Sequence, residues 1–212
     1  MTAVVAAHFR SDRPPGNPFA TRFTRPGAVP PLDCRGRPLD VAALTARLRT
    51  LPAAAIVGPH GHGKTTLLLA IAAAWAADGL PVALVRVRGW ADVLKALATI
   101  ARAAADALVC IDGWESLGPG RWPLRRIARL LGRKLVVTSH GPAGLPVLHA
   151  CDTSHKLLRA IVGHLPDHGG RIEAADVTTA FARHGGDLRE SLCDLYDRYE
   201  RAAPRRGAPR GA

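Results

Sequence analysis

Hydrophobic positions in this chain fall into two kinds of run. Short, nearly continuous apolar runs occur at 53–57, 82–87, 107–112, 135–139 and 147–150. Their length and their Val, Ile and Leu content read as buried strands. Longer stretches with apolar residues three and four apart lie between and after them. At 39–51, Leu44, Leu48 and Leu51 share one helical face, with Asp40 in the first turn. A helix starting near Lys64 runs through the apolar stretch 67–77 and ends at Gly79 and Pro81. Another covers 92–105, with Val93, Leu97 and Ile100 inward. Helices at 154–165, 174–183 and 187–199 are separated by the pairs Gly169-Gly170 and Gly185-Gly186. Strands alternating with helices predict an α/β fold, with a mostly parallel five-stranded sheet flanked by helices. The three glycine-spaced helices predict a small C-terminal helical lid.

This divides the chain into four parts. Residues 1–38 read as an irregular N-terminal segment, since prolines stand at 14, 15, 18, 26, 30, 31 and 38. The first dozen residues read as mobile. Phe19 and Phe23 are expected to pack onto the domain, and Asn17-Pro18-Phe19 has a peptide ligand as its alternative role. The core spans 39–152 and the lid 153–200. The tail, 201–212, carries Arg205, Arg206 and Arg210 among Pro, Gly and Ala, and reads as disordered.

The stretch at 58–66 carries the strongest chemical signal. Gly58, Gly63, Lys64 and Thr65 complete G-x-x-x-x-G-K-[ST], between a strand candidate and a helix candidate. Gly58, Pro59, His60, Gly61, His62, Gly63, Lys64, Thr65 and Thr66 are the expected nucleotide-binding residues, with the backbone N–H groups between Gly58 and Thr65 around a polyphosphate. Lys64 is expected to reach the outer phosphates and the Thr65 hydroxyl to meet Mg²⁺. Thr66 caps or supports the helix start. His60 and His62 read as mostly exposed.

A second signal is the apolar run ending in Asp112, 48 residues after Lys64 with one strand and one helix between. A carboxylate there suits a magnesium site. Glu115 either orients an attacking water or is a surface glutamate in a turn. Thr138 and Ser139 end the fourth strand and are candidates to sense a γ-phosphate or hold that water. Arg125, Arg129 and Arg133 are spaced by four on one expected helical face, opposite Leu124, Ile127 and Leu131. That face reads as solvated, as a phosphate-backbone contact, or as a donor of arginine to a neighbouring subunit. Trp90 reads as core, with base stacking as its alternative.

Composition narrows the partners. The 212 residues carry a net charge of +12, mostly from arginine. This favours nucleic acid, an anionic membrane surface or an acidic protein. The four cysteines, at 34, 110, 151 and 193, form no C-x-x-C pair, so neither a zinc site nor a disulfide framework is expected. No apolar run reaches the roughly 18 residues of a membrane span, and charged residues interrupt any leader pattern at the start. A cytoplasmic location is expected.

The pattern resembles the P-loop ATPases, and within them the AAA+ ATPases and their signal-transducing relatives. Gly58–Thr65 corresponds to Walker A and residues 109–115 to a Walker B region. Thr138 and Ser139 stand where a sensor-1 residue ends a strand, and 184–190 is similar to the lid motif bearing the sensor-2 arginine. The resemblance covers about residues 39–200. It implies sheet order 5-1-4-3-2, ATP with Mg²⁺ as ligands, and Arg189 as a phosphate contact coupling hydrolysis to the lid. Two departures stand out: Gly113-Trp114 separates Asp112 from Glu115, and only 141–146 connects the fourth strand to the fifth. Both favour slow hydrolysis and switching over catalysis between subunits.

The expectation is therefore an ATP-binding protein with weak Mg-dependent ATPase activity, acting as a switch or loader. Catalytic roles fall to Lys64, Glu115, Thr138, Ser139 and Arg189, and metal contacts to Thr65 and Asp112. The alternatives are a small-molecule or nucleoside kinase, and a nucleic-acid-binding adaptor with structural ATP.

Overall fold

The computed structural model describes residues 16–202. The expectations for the first dozen residues and for Arg205, Arg206 and Arg210 lie outside them. In chain order the elements are α1 (Thr21–Thr24), α2 (Val41–Arg49), β1 (Ala53–Val57), α3 (Lys64–Ala77), β2 (Val82–Arg86), α4 (Val93–Arg102), β3 (Leu108–Asp112), α5 (Arg121–Leu130), β4 (Lys134–Ser139), β5 (Val147–Ala150), α6 (His155–His164), α7 (Ala174–Arg183) and α8 (Leu188–Ala202). Short 3-10 segments, Trp90–Asp92 and Trp114–Gly120, precede α4 and α5.

All five strands are parallel and form one sheet in the order β2-β3-β4-β1-β5. Read from the other edge this is 5-1-4-3-2. Side chains alternate across a strand, so the central strands β1, β3 and β4 each feed two cores. Ala53, Ala55, Val109, Ile111, Leu135 and Val137 pack against Ala96 and Ile100 of α4 and Leu124 and Ala128 of α5. Ala54, Ile56, Leu108, Cys110 and Val136 pack against Leu48 of α2 and Leu67, Leu68, Ile71 and Trp75 of α3. Both faces are covered, which is why the strands read as continuous apolar runs.

The connections leaving β1 and β3 run to opposite faces, into α3 and α5. Such divergence opens a crevice at the carboxyl ends of the strands. Helices α6–α8 form a third cluster around Leu158, Val177 and Leu195, and Phe19 is buried in it with its ring 6.3 Å from that of Tyr199. Asn17 is buried too. Its amide donates to Tyr196 O at 3.0 Å and Glu200 Oε1 at 2.9 Å. Asn17-Pro18-Phe19 is therefore a clasp for α8 and does not stand free as a peptide ligand.

Several local expectations change. Trp90 opens the 3-10 turn before α4 and is 79% exposed, so it is not core. The α5 helix stops at Leu130, and Gly132 turns the chain with φ +68°. Arg133 therefore leaves the face of Arg125 and Arg129 and donates to Leu131 O at 2.7 Å, while Leu131 is 40% exposed rather than buried. Within 16–38 the chain holds the short α1 and a bridge between Leu32 and Pro38, and Arg201 continues α8. None of the described helices is long and apolar enough to cross a membrane.

Candidate functional site

The loop after β1 gets its shape from two glycines. Gly58 has φ +154°, and a Cβ there would lie 2.8 Å from Cys151 O. Gly63, at φ 81°, is the N-cap of α3 and supplies no side chain to cap it. The first-turn donors of α3 are therefore left over. Among the described residues the N–H groups of Gly61, Gly63, Lys64, Thr65 and Thr66 make no hydrogen bond. Free N–H groups at the start of a 14-residue helix are an anion site by geometry and by dipole.

Lys64 bends back over this loop. Its Nζ donates to Gly58 O at 2.6 Å and Pro59 O at 2.5 Å. Burial lowers its pKa, opposed by the carboxylate of Glu115 first and by Cys151, Asp112 and Asp187 after it. The cation is thus held by carbonyls in a half-buried place, available to a stronger anion.

Asp112 lies below. Its carboxylate accepts from Thr65 Oγ1 at 3.0 and 3.2 Å, from Thr138 Oγ1 at 2.8 Å and from Arg86 Nε at 3.1 Å. The fold explains each neighbour. Thr65 opens α3, Thr138 sits on β4 beside β3, and the register of β2 with β3 sets Arg86 opposite Asp112. Thr138 Oγ1 also accepts from the Gly113 N–H at 2.9 Å, so its hydroxyl joins Asp112 to the start of the following loop. Ser139 is buried next to it, and its carbonyl accepts from Gly58 N at 3.2 Å.

Glu115 follows in the 3-10 segment. His140 Nε2 stands 3.3 Å from its Oε1, and the His60 ring packs edge-on against His140 with centroids 4.1 Å apart. Glu115 Oε2 is buried with no partner, so one oxygen is oriented and the other still has a lone pair to offer. His60 is exposed as expected, but His62 is half-buried, with Nδ1 3.0 Å from Cys151 O. Pro59 serves through its carbonyl, and Thr66 is half-buried in the first turn of α3.

Helix α8 reaches the loop from the C-terminal helical cluster. Asp187 caps it, accepting from Arg189 N at 2.8 Å and Glu190 N at 3.1 Å. The same carboxylate sits where a side chain on Gly61 would go. Arg189 is exposed on the cleft wall and makes no ion pair among the described residues. Asp194, one of its possible partners by sequence, is taken by Arg183 at 2.9 Å and His184 at 3.4 Å. The cleft measures about 1260 Å³ and runs from the loop, Asp112 and Glu115 to Arg189, Tyr196 and the proline segment at Pro31.

Sequence reasoning missed Arg86, His140 and Asp187 as neighbours of the site. Each had a signal: Arg86 ends a strand as Asp112 does, His140 follows a flagged strand, and Asp187 was the natural cap of α8. Mg²⁺ takes oxygen ligands and commonly uses only one or two from protein. The Thr65 hydroxyl and Asp112 carboxylate fit that donor set. Arg86 already places positive charge on the same carboxylate, which a cation would share or displace. Among the described residues no group of three or more His, Cys, Asp or Glu is placed to hold a metal. No family model matches the chain, and no curated protein matches it.

Proposed function

We propose that the chain binds ATP with Mg²⁺ and hydrolyses it slowly, as a switch or loader ATPase of the P-loop class related to the AAA+ group. The observation that carries this reading is the Thr65 hydroxyl bonded to the Asp112 carboxylate, directly beneath a loop of unpartnered N–H groups. The sheet order, with β4 between the loop strand and the Asp112 strand, is the order the resemblance implies.

In this reading the N–H groups of 61–66 bind the phosphates, and Lys64 moves its Nζ from Gly58 O and Pro59 O to the outer ones. Thr65 and Asp112 hold Mg²⁺, which when bound neutralises charge on the phosphate oxygens. Thr138 fixes the rotamer of Asp112. Glu115, oriented by His140, accepts a proton from water through its free oxygen Oε2. Arg189 meets the phosphates from α8 and signals their presence to the lid. Slow turnover is expected because Glu115 is tied to His140 and separated from Asp112 by Gly113 and Trp114.

The test is Lys64→Ala. Nucleotide affinity should fall at least tenfold, about 1.4 kcal/mol, with the thermal melt unchanged. Equal affinity of both proteins in calorimetric titration would remove the reading. Phosphate release with no added acceptor separates a hydrolase from a kinase.

A further inference from the structure

The faces of α4 and α5 away from the sheet take no part in the site above. The two helices pack side by side, and Gly120, just before α5, lies against the Val93 side chain at the start of α4. Together they carry Lys95, Arg102, Arg121, Arg125, Arg126 and Arg129 and no acidic residue. Asp92, at the boundary, is engaged with the Arg88 N–H at 2.7 Å. The guanidinium groups of Arg88, Arg126 and Arg129 are exposed and make no ion pair or hydrogen bond among the described residues.

The same surface holds two uncovered tryptophans. Trp90 is 79% and Trp122 71% exposed, with Leu94 and Leu130 each 75% exposed. Helical spacing places Trp122, Arg126 and Arg129 in one outward stripe, since Leu124 and Ala128 fix the buried side. Trp90 follows the unpaired Arg88 by two residues. Each exposed indole thus has an unpaired arginine two or four residues from it along the chain, and both indoles lie where the helices begin, at the carboxyl ends of the strands.

We propose that this face binds single-stranded nucleic acid, with bases stacked on Trp90 and Trp122 and phosphates on Arg88, Arg126 and Arg129. Charge complementarity and the repeat of ring beside cation argue for it. A single strand repeats a flat base beside a negative phosphate, and unpaired bases alone leave both faces free to stack. A duplex would meet the arginines and leave the indoles without partners. A second copy of this face would bring like charges together. Arg88 also lines the nucleotide cleft, but Trp90, Trp122, Arg126 and Arg129 do not, so the proposal does not depend on the nucleotide site.

The test uses the full chain, tryptophan fluorescence and a 20-nucleotide oligo-dT. Trp75 and Trp114 are buried, so quenching reports Trp90 and Trp122. Oligo-dT should quench the emission and bind at least tenfold more tightly than a duplex of equal length. Trp90→Ala with Trp122→Ala, which removes the reporting indoles and is therefore read by the anisotropy of a fluorescein-labelled oligo-dT, should weaken binding at least tenfold relative to the unsubstituted chain in the same assay, with the dependence on salt retained. Arg126→Gln with Arg129→Gln should lower the slope of log K against log salt by about 1.4. All four side chains are exposed, and matching circular dichroism melts check that the variants are folded. Equal binding of duplex, or no effect of the tryptophan pair, overturns the proposal. So does tighter binding to phosphatidylserine vesicles or to polyglutamate, which would mark a membrane or acidic-protein surface. Lys64→Ala should leave oligo-dT binding intact, which separates failure here from failure of the ATP reading.

Discussion

Gly61→Ala tests how the loop and α8 are joined. Gly61 has φ +69°, where an L side chain costs about 1–2 kcal/mol. The added Cβ would also overlap the Asp187 carboxylate. Asp187 must then move, and its bonds to Arg189 N and Glu190 N are lost. Loss of such a cap costs about 1 kcal/mol. The two contributions sum to about 2–3 kcal/mol. Gly79→Ala is the control: φ is +75° but nothing lies within 4 Å of its Cβ, so only the backbone cost applies. Urea unfolding of Gly61→Ala, Asp187→Ala, the double variant and Gly79→Ala gives the cycle. Asp187→Ala alone should cost about 1 kcal/mol. The double variant should match Gly61→Ala, since the cap is lost once in either, leaving a coupling of about 1 kcal/mol. Strict additivity, or equal cost of Gly61→Ala and Gly79→Ala, would refute the contact between loop and lid.

Four further outcomes are expected. Asp112→Asn should reduce Mg-dependent turnover at least tenfold and nucleotide affinity much less, because the amide still accepts from Thr65 and Thr138 but has no charge for a cation; turnover at saturating Mg·ATP checks it. Arg189→Ala should leave the melt unchanged and weaken ATP binding more than ADP binding, read by titration with each nucleotide. Burial pushes the Cys110 thiol up to about 12 and Cys151 to about 11, from an ordinary 9.0. Iodoacetamide at pH 8 should therefore label Cys34 and Cys193, which are exposed, and the other two only after denaturation, by mass spectrometry. The same shifts set the sign of an alkaline effect. Above pH 9 the unfolded chain loses these two protons while the folded chain keeps them, so stability falls as pH rises toward 11, by about 1.4 kcal/mol per thiol per pH unit.

By itself, the sequence determined the elements and their type. Five apolar runs became five parallel strands; the central three are apolar along most of their buried length because both of their faces are covered, and that pattern needs no knowledge of neighbours. The glycines at 58 and 63, with Lys64 and Thr65 between strand and helix, marked the loop for the same local reason. What lies beside what was decided only by the tertiary structure. Arg86 meets Asp112 because β2 and β3 pair in a register that no local pattern specifies. His140 meets Glu115 because β4 ends beside the 3-10 segment, and Asp187 meets Gly61 because α8 packs back onto the loop. Exposure was decided in the same way. Trp90, an expected core residue, stands in solvent, while Asn17 and Phe19, read from a proline-rich segment, hold α8 from within. A residue's own chemistry sets what it can bury or bind. The strands and helices that close around it decide whether it does.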